Sequence, residues 1–527
     1  MKHDEAEGVG RWLVATAVMA AAIMELVDTS AVNVSLPYIA GNLSASINES
    51  TWVLTSYLVA NAVVLPTAGW MANYFGRKRL LMAAVGTFTV ASVLCGLAPS
   101  LPWLVFFRIL QGLGGGSLQP TSRAILLETF TPEERGKAMA LWGVGIVVAP
   151  ILAPVLGGWL TTNYSWRLIF LINVPISVAG LVLVQLFIRD PSYIRRRSNT
   201  VDYRGLAMMA IGISALQLML DKGQDEDWFS SHLIVALAVV AVVFLVSFVV
   251  WELRSPDPIV RFRLLRHRTF AVGVAFSAVL GIALFGTTVL MPLFMQELLG
   301  FPAVLAGLWN SPRGLVTLLG MPVAGMLISR RWDTRRLLFF GSIVTAAGTF
   351  ALSFLNLNAG PWDFLLPQLV IGLGLSFTFV PLSTITVDPI PLADMGYATS
   401  ITSLMRNVGG GIGISAVTTL VARRQQFHHA ILAAGVGPYD PQAVSLIAGL
   451  REALVRAGSS AAGATNEAIA LIGGLVNRQA LAMSYLDAFR VLALLLLATA
   501  PLVWIMQRRT TDMRPGAGEV ATETRRH

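Results

Sequence analysis

A few groups able to hold charge or exchange a proton stand in otherwise apolar sequence. The first apolar run contains Glu25 and Asp28. The fourth contains Arg108, Gln111, Gly115 and Gln119, spaced i, i+3, i+7 and i+11, which puts them on one stripe of a helix. A charge within a hydrocarbon-embedded helix is costly, faces a bundle interior or a watery cavity, and needs a partner. A carboxylate and a guanidinium at one depth can perform one kind of chemistry. The acid takes up a proton when its cationic partner withdraws and releases it when the partner returns, because desolvation and a nearby cation act on its ionisation in opposite senses.

Depth allows that pairing here. At ~1.5 Å per residue, Asp28 lies roughly 12 Å below the outer end of the first run and Arg108 roughly 9 Å below the same end. We therefore expect Asp28 and Arg108 to reach one another across a cavity in at least one state. A static structural pair that never titrates is the competing expectation. Glu25, about half a turn deeper, is a second proton-coupling candidate. It could equally hold a cationic substrate or bond a neighbouring helix. Later in the chain, Arg313 and Arg406 lie well inside apolar runs, and NVGGGIG follows Arg406. Gln111, Gln119, Gln296, Asn310 and Gln368 could line the same cavity with them, although packing explains each one singly.

The elements that must position these groups are apolar helices. The chain has 527 residues, 55% hydrophobic and only 13% charged, whereas soluble domains are roughly a quarter charged. Long continuous apolar runs rather than alternating ones indicate helices, the form that lipid tolerates besides closed barrels. Fourteen spans are expected, at 12–36, 51–71, 80–99, 102–127, 137–161, 167–188, 205–221, 233–251, 270–296, 302–328, 337–356, 362–386, 397–420 and 486–506. Beside the stripe of span 4, Gly112, Gly114, Gly115 and Gly116 remove bulk and let another helix approach. Span 5 carries Pro150, Pro154, Gly157 and Gly158, giving either an ordinary kinked span or a hinge between halves.

Basic residues set the orientation. Arg77, Lys78 and Arg79 follow span 2, Arg189, Arg195, Arg196, Arg197 and Arg204 follow span 6, and similar clusters follow spans 8 and 10. All fall on one side by parity, so both termini are expected in the cytoplasm. The net charge of +9 then faces anionic lipid, and nucleic acid is not an expected partner. The connection 421–485 on the opposite side contains two amphipathic stretches. They read either as interfacial helices or as a docking surface for an extracytoplasmic partner. An echo between GWMANYFGRKRLL (69–81) and GMLISRRWDTRRLL (325–338) suggests two similar halves. The expected division is a six-helix bundle at 1–200, a two-helix insert at 201–269 and a second six-helix bundle at 270–527.

Enzyme chemistry has little support. The six histidines fall in expected loops or tails, Cys95 is the single cysteine, and no metal-ligand spacing occurs in a span. Gly136–Ala138 lacks the hydroxyl and the upstream glycines of a phosphate loop. No cofactor and no metal are expected.

Several segments together resemble the major facilitator superfamily, and within it the fourteen-spanner drug:proton antiporters of the EmrB/QacA type. LVDTSAVNVSLP (26–37) is similar to that group's span 1 signature. RILQGLGGG (108–116) resembles the R-x-x-Q-G-x-G-G motif assigned to proton coupling, and APILAPVLGGWL (149–160) resembles the span 5 antiporter motif. SWRLIFLINVPI (165–176) and MPLFMQELLGFPAVLAGL (291–308) also match family patterns. The loop after span 2 departs from G-x-L-A-D-R-x-G-R-K. Gly69, Gly76 and Arg77 are kept, but Asn73 stands where the acid is usual, which puts a charge-based gating contact in doubt. Ala153 replaces a glycine before Pro154. RRQQFHHAIL (423–432) and LVNRQALAMSYLDAF (475–489) are similar to EmrB-like segments.

The resemblance implies an all-α membrane protein of major facilitator fold, two six-helix bundles plus two extra helices. It implies a proton-coupled exporter of hydrophobic or amphipathic toxic compounds in a bacterial inner membrane. An EmrA-type periplasmic adaptor and a TolC-type outer-membrane channel are the implied partners. A proton symporter or facilitator importing a small metabolite is the alternative.

Overall fold

The computed structural model describes residues 2–131, 134–188, 202–436, 441–460 and 463–507. The expected basic residues Arg189, Arg195, Arg196 and Arg197, and the expected boundary at 200, lie outside the described residues. All secondary structure among the described residues is helical. The first helices are α1 (Lys2–Asn42), α2 (Trp52–Phe75, with a tighter turn at Leu65–Thr67) and α3 (Arg77–Gly96). There follow α4 (Leu101–Gly115), α5 (Leu118–Thr129), α6 (Arg135–Asn163) and α7 (Leu168–Phe187). The middle pair is α8 (Tyr203–Lys222) and α9 (His232–Arg254). Then come α10 (Arg268–Leu293), α11 (Ala303–Ser329), α12 (Thr334–Ala351) and α13 (Leu365–Ile385). The chain closes with α14 (Met395–Ala434), α15 (Pro441–Arg456) and α16 (Gly463–Thr499).

Sequence chemistry marks the ends. Gly76, at φ 89°, joins α2 to α3 in a conformation that glycine alone adopts without strain. The Asp202 side chain accepts from the Gly205 amide at the start of α8, and that of Asp333 from the Arg335 amide at the start of α12.

Among the described residues, eleven helices are long and apolar enough to cross a membrane. The three other expected spans fall on α4–α5, α6 and α14, so the architecture is compatible with fourteen crossings. Two departures from expectation have clear causes. Span 4 is broken into α4 and α5 at Gly116–Ser117, within a glycine run that holds helix weakly. The described part of the connection 421–485 is almost wholly helical. α14 runs on to Ala434 and α16 starts at Gly463. At 40 and 37 residues these helices are about 60 and 55 Å long, well beyond a ~30 Å hydrocarbon core. They project past it as a helical stalk with α15 packed on α16. Gln425 Nε2 donates to Asn477 Oδ1 (2.9 Å), and Arg478 donates to the Leu298 carbonyl (2.6 Å).

α1–α7 pack mainly on one another, as do α10–α16. α8 and α9 pair together, and α8 touches both α2 and α14. The two sets meet along α6 with α11 and α13, and along α2 and α5 with α14. Alternation of the helices puts the basic connections at one end, called the basic end below. Close approach of the two sets is concentrated there. Gly136 and Gly325 lie backbone to backbone, and a Cβ on Gly69 would stand 2.6 Å from the Gly396 carbonyl carbon.

Candidate functional site

Asp28 and Arg108 meet. Arg108 Nη1 donates to Asp28 Oδ2 at 2.6 Å, and both side chains are fully buried. The pair is the centre of a network. Gln111 Nε2 (2.9 Å) and Asn173 Nδ2 (2.8 Å) both donate to Asp28 Oδ1. Each also donates to Ser92 Oγ, at 3.2 and 3.0 Å, and Ser92 donates to the Phe170 carbonyl. Arg108 reaches the Val53 carbonyl through Nε (3.0 Å) and Gln111 Oε1 through Nη1 (2.8 Å), with its guanidinium over the Tyr57 ring at 4.2 Å. Arg108 Nη2 has no hydrogen-bond partner among the described residues.

Four helices of the first set supply the members: α1 (Asp28), α3 (Ser92), α4 (Arg108 and Gln111) and α7 (Asn173). The glycines of α4 let α2 close over it: Gly112 and Gly116 face the backbone of α2 near Tyr57 and Asn61. The network is therefore enclosed within one bundle. This corrects the expectation that the pair meets across a cavity. The helix break is the reason, because it separates Gln119 from the stripe of Arg108 and Gln111.

Glu25 and Gln119 face the other set of helices instead. Glu25 is buried and accepts from Asn61 Nδ2 at 2.9 Å and, more distantly, from Tyr57 at 3.5 Å. Gln119 stands beside it, and Arg406 is near enough to act on its charge. Arg406 Nη2 donates to Gln119 Oε1 at 3.2 Å. A guanidinium of α14 thus bonds an amide of α5 across the seam, with a carboxylate of α1 near that amide. Three further bonds cross it. Arg123 donates to Thr402 Oγ1 (3.3 Å) and to the Ser383 carbonyl (3.2 Å), and Thr399 donates to the Pro120 carbonyl (3.1 Å). Counted from the ends of α5 and α14, all four lie in the half of the bundle nearer the basic end.

The remaining expected residues scatter. Arg313 bonds Thr287 and Thr288 on α10, and Asn310 accepts from the buried Gln368 at 2.8 Å, so these belong to the second bundle. Gln296 is exposed on the widened π turn that ends α10. Arg77 is buried and paired with Glu128 of α5. Asn73, in place of the usual acid, lies near Tyr397 of α14, so a neutral contact crosses the seam there. Gly157 packs on Ala31 of α1, and Gly158 faces Val34. They serve contacts inside the first bundle rather than a hinge between halves. The side chains of Pro150 and Pro154 lie outside the described residues. The small residues of α6 that meet the other half are Gly136 and Gly143, the latter against Met321.

Sequence reading missed Asn61, Tyr57, Ser92 and Asn173, which are ordinary polar residues inside spans. It also missed Arg123, whose place near a helix end resembles a loop cation. His428 is not a loop residue: it is largely buried in α14, and its Nε2 lies 2.8 Å from Asp487, which also accepts from Arg424 at 2.7 Å. Among the described residues no group of His, Cys, Asp and Glu is placed to hold a metal.

Comparison with known proteins agrees with this geometry. Residues 18–414 match the family model described as Major Facilitator Superfamily. The chain is 37% identical over 503 residues to the multidrug export protein EmrB of Escherichia coli K12, covering 94% of this chain and 96% of that one. It is 35% identical over 508 residues to the fatty acid resistance protein FarB of Neisseria gonorrhoeae, covering 96% and 98%. The solved proton:xylose symporter XylE of the same superfamily superposes with a TM-score of 0.60 at 15% identity, over 95% of this chain and 97% of that chain. The chain belongs to the major facilitator superfamily: it is a multi-pass, EmrB-like membrane transporter and not an enzyme.

Proposed function

We propose that this protein is a proton-driven exporter of hydrophobic and amphipathic toxic compounds, working by alternating access. The observation that carries the reading is the Gln119–Arg406 bond across the seam, with the buried Glu25 near it and the Asp28–Arg108 pair sealed behind. Neutralising Asp28 removes the attraction that holds Arg108, and the freed guanidinium must find other partners. Tyr57 touches both Arg108 and Glu25, so that rearrangement reaches the seam through α2. Proton uptake at Asp28 thereby biases the packing of the two halves, with Glu25 as the acid that senses it at the seam. Two relatives bear names of export or resistance, which supports outward transport.

With the basic connections in the cytoplasm, the four cross-seam bonds and the glycine contacts close the cytoplasmic side. This arrangement is the outward-facing member of the cycle. The division into bundles at 1–200 and 270–527, with an insert between, fits the way the helices pack. The stalk of α14, α15 and α16 then points into the periplasm. Its exposed apolar residues, among them Leu446, Ile469, Leu471 and Leu475, suit an adaptor of the EmrA type leading to a TolC-type channel.

Drug accumulation in a deletion strain tests the function. Wild type should restore low accumulation of several unrelated hydrophobic compounds, and collapse of the proton gradient should abolish it. Export that persists without a proton gradient would contradict the proposal.

A further inference from the structure

We propose that the return connection of the two-helix insert is a working part of the cytoplasmic gate. Arg261 clasps Asp394 and Tyr397, and so holds the start of α14 where it closes on α2. Arg261 acts through α14 and is a positioning residue. The inference rests on the alternating-access reading above and gives the insert a part in it.

The departure at position 73 marks the place. Gly69 and Asn73, at the basic end of α2, meet the first turn of α14. A Cβ on Gly69 would stand 2.6 Å from the Tyr397 nitrogen, and Asn73 lies near Tyr397. A helix start carries positive partial charge, so an acid at 73 would attract α14 across the seam. Asn73 has no charge with which to do this. Charge stands at the start of α14 itself instead. Asp394 lies immediately before that helix, and Arg261 Nη1 is paired with its Oδ1. The Arg261 guanidinium also lies 4.4 Å from the centre of the buried Tyr397 ring. One cation thus touches both the acid before α14 and the residue whose backbone meets α2.

Arg261 is anchored for this task. Ile259 and Val260 just before it are buried, and the Val260 amide donates to Glu252 Oε2 of α9 at 3.2 Å. Arg254, Arg263, Arg266 and Arg268 of the same stretch are exposed, whereas Arg261 is half-buried. A guanidinium can pair with a carboxylate and lie on an aromatic face at once. A partly exposed ion pair alone contributes little; here the ring and the anchored connection add to it. The clasp orients the face of α14 that closes on Gly69, where backbone meets backbone and leaves little room for the helix to turn.

Maleimide labelling of a cysteine at Ser383, buried at the seam, tests this in everted vesicles bearing the full-length protein. The native Cys95 is buried, and its labelling in wild type is subtracted. In Ser383→Cys alone, labelling should be slow. Added to it, Arg261→Asp and Asp394→Arg each set like charges side by side, and each should speed labelling about fivefold or more. Arg261→Asp/Asp394→Arg re-forms the pair with its charges exchanged and should recover most of the protection. Arg261→Lys, which keeps the charge but not the planar fork, should fall between. Recovery in the exchange variant separates a clasp from a general loss of structure. If a single variant fails to reach the membrane, Arg261→Gln and the exchange variant decide. Unchanged labelling in the single variants overturns the clasp, and so does an exchange variant labelled as fast as either single one. Proton-driven drug uptake into the same vesicles, which corresponds to export in the cell, is read in parallel. If labelling follows the expected pattern while wild type takes up no drug, the clasp stands and the export reading falls. If wild type takes up drug while the single variants stay protected, the clasp alone falls.

Discussion

At the scale of single residues, the Asp28–Arg108 pair is a buried charge pair whose members depend on each other. Removing one partner leaves an uncompensated charge, which typically costs 3–5 kcal/mol, whereas replacing both by apolar residues costs much less. Arg108→Leu should therefore lower stability by about 3–5 kcal/mol, and Asp28→Leu/Arg108→Leu should recover most of it. Thermal unfolding of the detergent-solubilised protein reads both. A non-additive recovery is the signature of direct coupling. Asp28 and Arg108 were legible in the sequence because two opposite charges at one depth in apolar runs demand each other. Asn173 and Ser92 were not, since a polar residue within a span carries no mark of its partner. Nor was Arg123, because an arginine six residues from a helix end reads as a snorkelling cation until the neighbouring helices are seen to bury it.

At the scale of elements, the glycines decide how near the halves come. A side chain on Gly69 would meet the backbone of Gly396 and Tyr397, and backbone cannot yield as a flexible side chain can. Gly69→Val should hold the basic end apart and abolish export. A cysteine at Ser383, buried at the seam in the closed arrangement, should then become accessible to a water-soluble maleimide from the cytoplasmic side. Unchanged protection would contradict the role given to this contact. The inserted helix α8 makes its own bridge near the opposite end. Asp221 accepts from Thr55 of α2 at 2.6 Å, and Trp228, just beyond α8, donates to Thr419 of α14 at 2.8 Å. Asp221→Ala should loosen that bridge by about 1 kcal/mol, read as faster hydrogen exchange at the start of α2. The helices themselves were legible from apolar length. The break at Gly116–Ser117 was not, because a strong apolar run hides a weak propensity signal. Its consequence is that Arg108 and Gln119, read as one stripe, serve two different networks.

At the scale of the whole molecule, two helix sets, a bridging insert and a stalk divide the labour. The stalk replaces much of the expected connection 421–485 with extensions of α14 and α16. Apolar faces in this segment did not reveal that it extends α14 and α16 as continuous helices. If the stalk seats an adaptor, Leu475→Asp should abolish co-purification of the adaptor and resistance in whole cells. Transport in everted vesicles, which needs no adaptor, should be unaffected.

The most direct test of proton coupling uses reconstituted protein and separates exchange from concentration. Asp28→Asn keeps an oxygen toward Arg108 while fixing the acid in its neutral form. This variant should exchange labelled substrate across the membrane down its gradient at a rate comparable to wild type. Under an imposed proton gradient it should fail to concentrate that substrate, as wild type does. An Asp28→Asn protein that concentrates substrate as well as wild type would show that the buried pair is structural and that the proton is carried elsewhere.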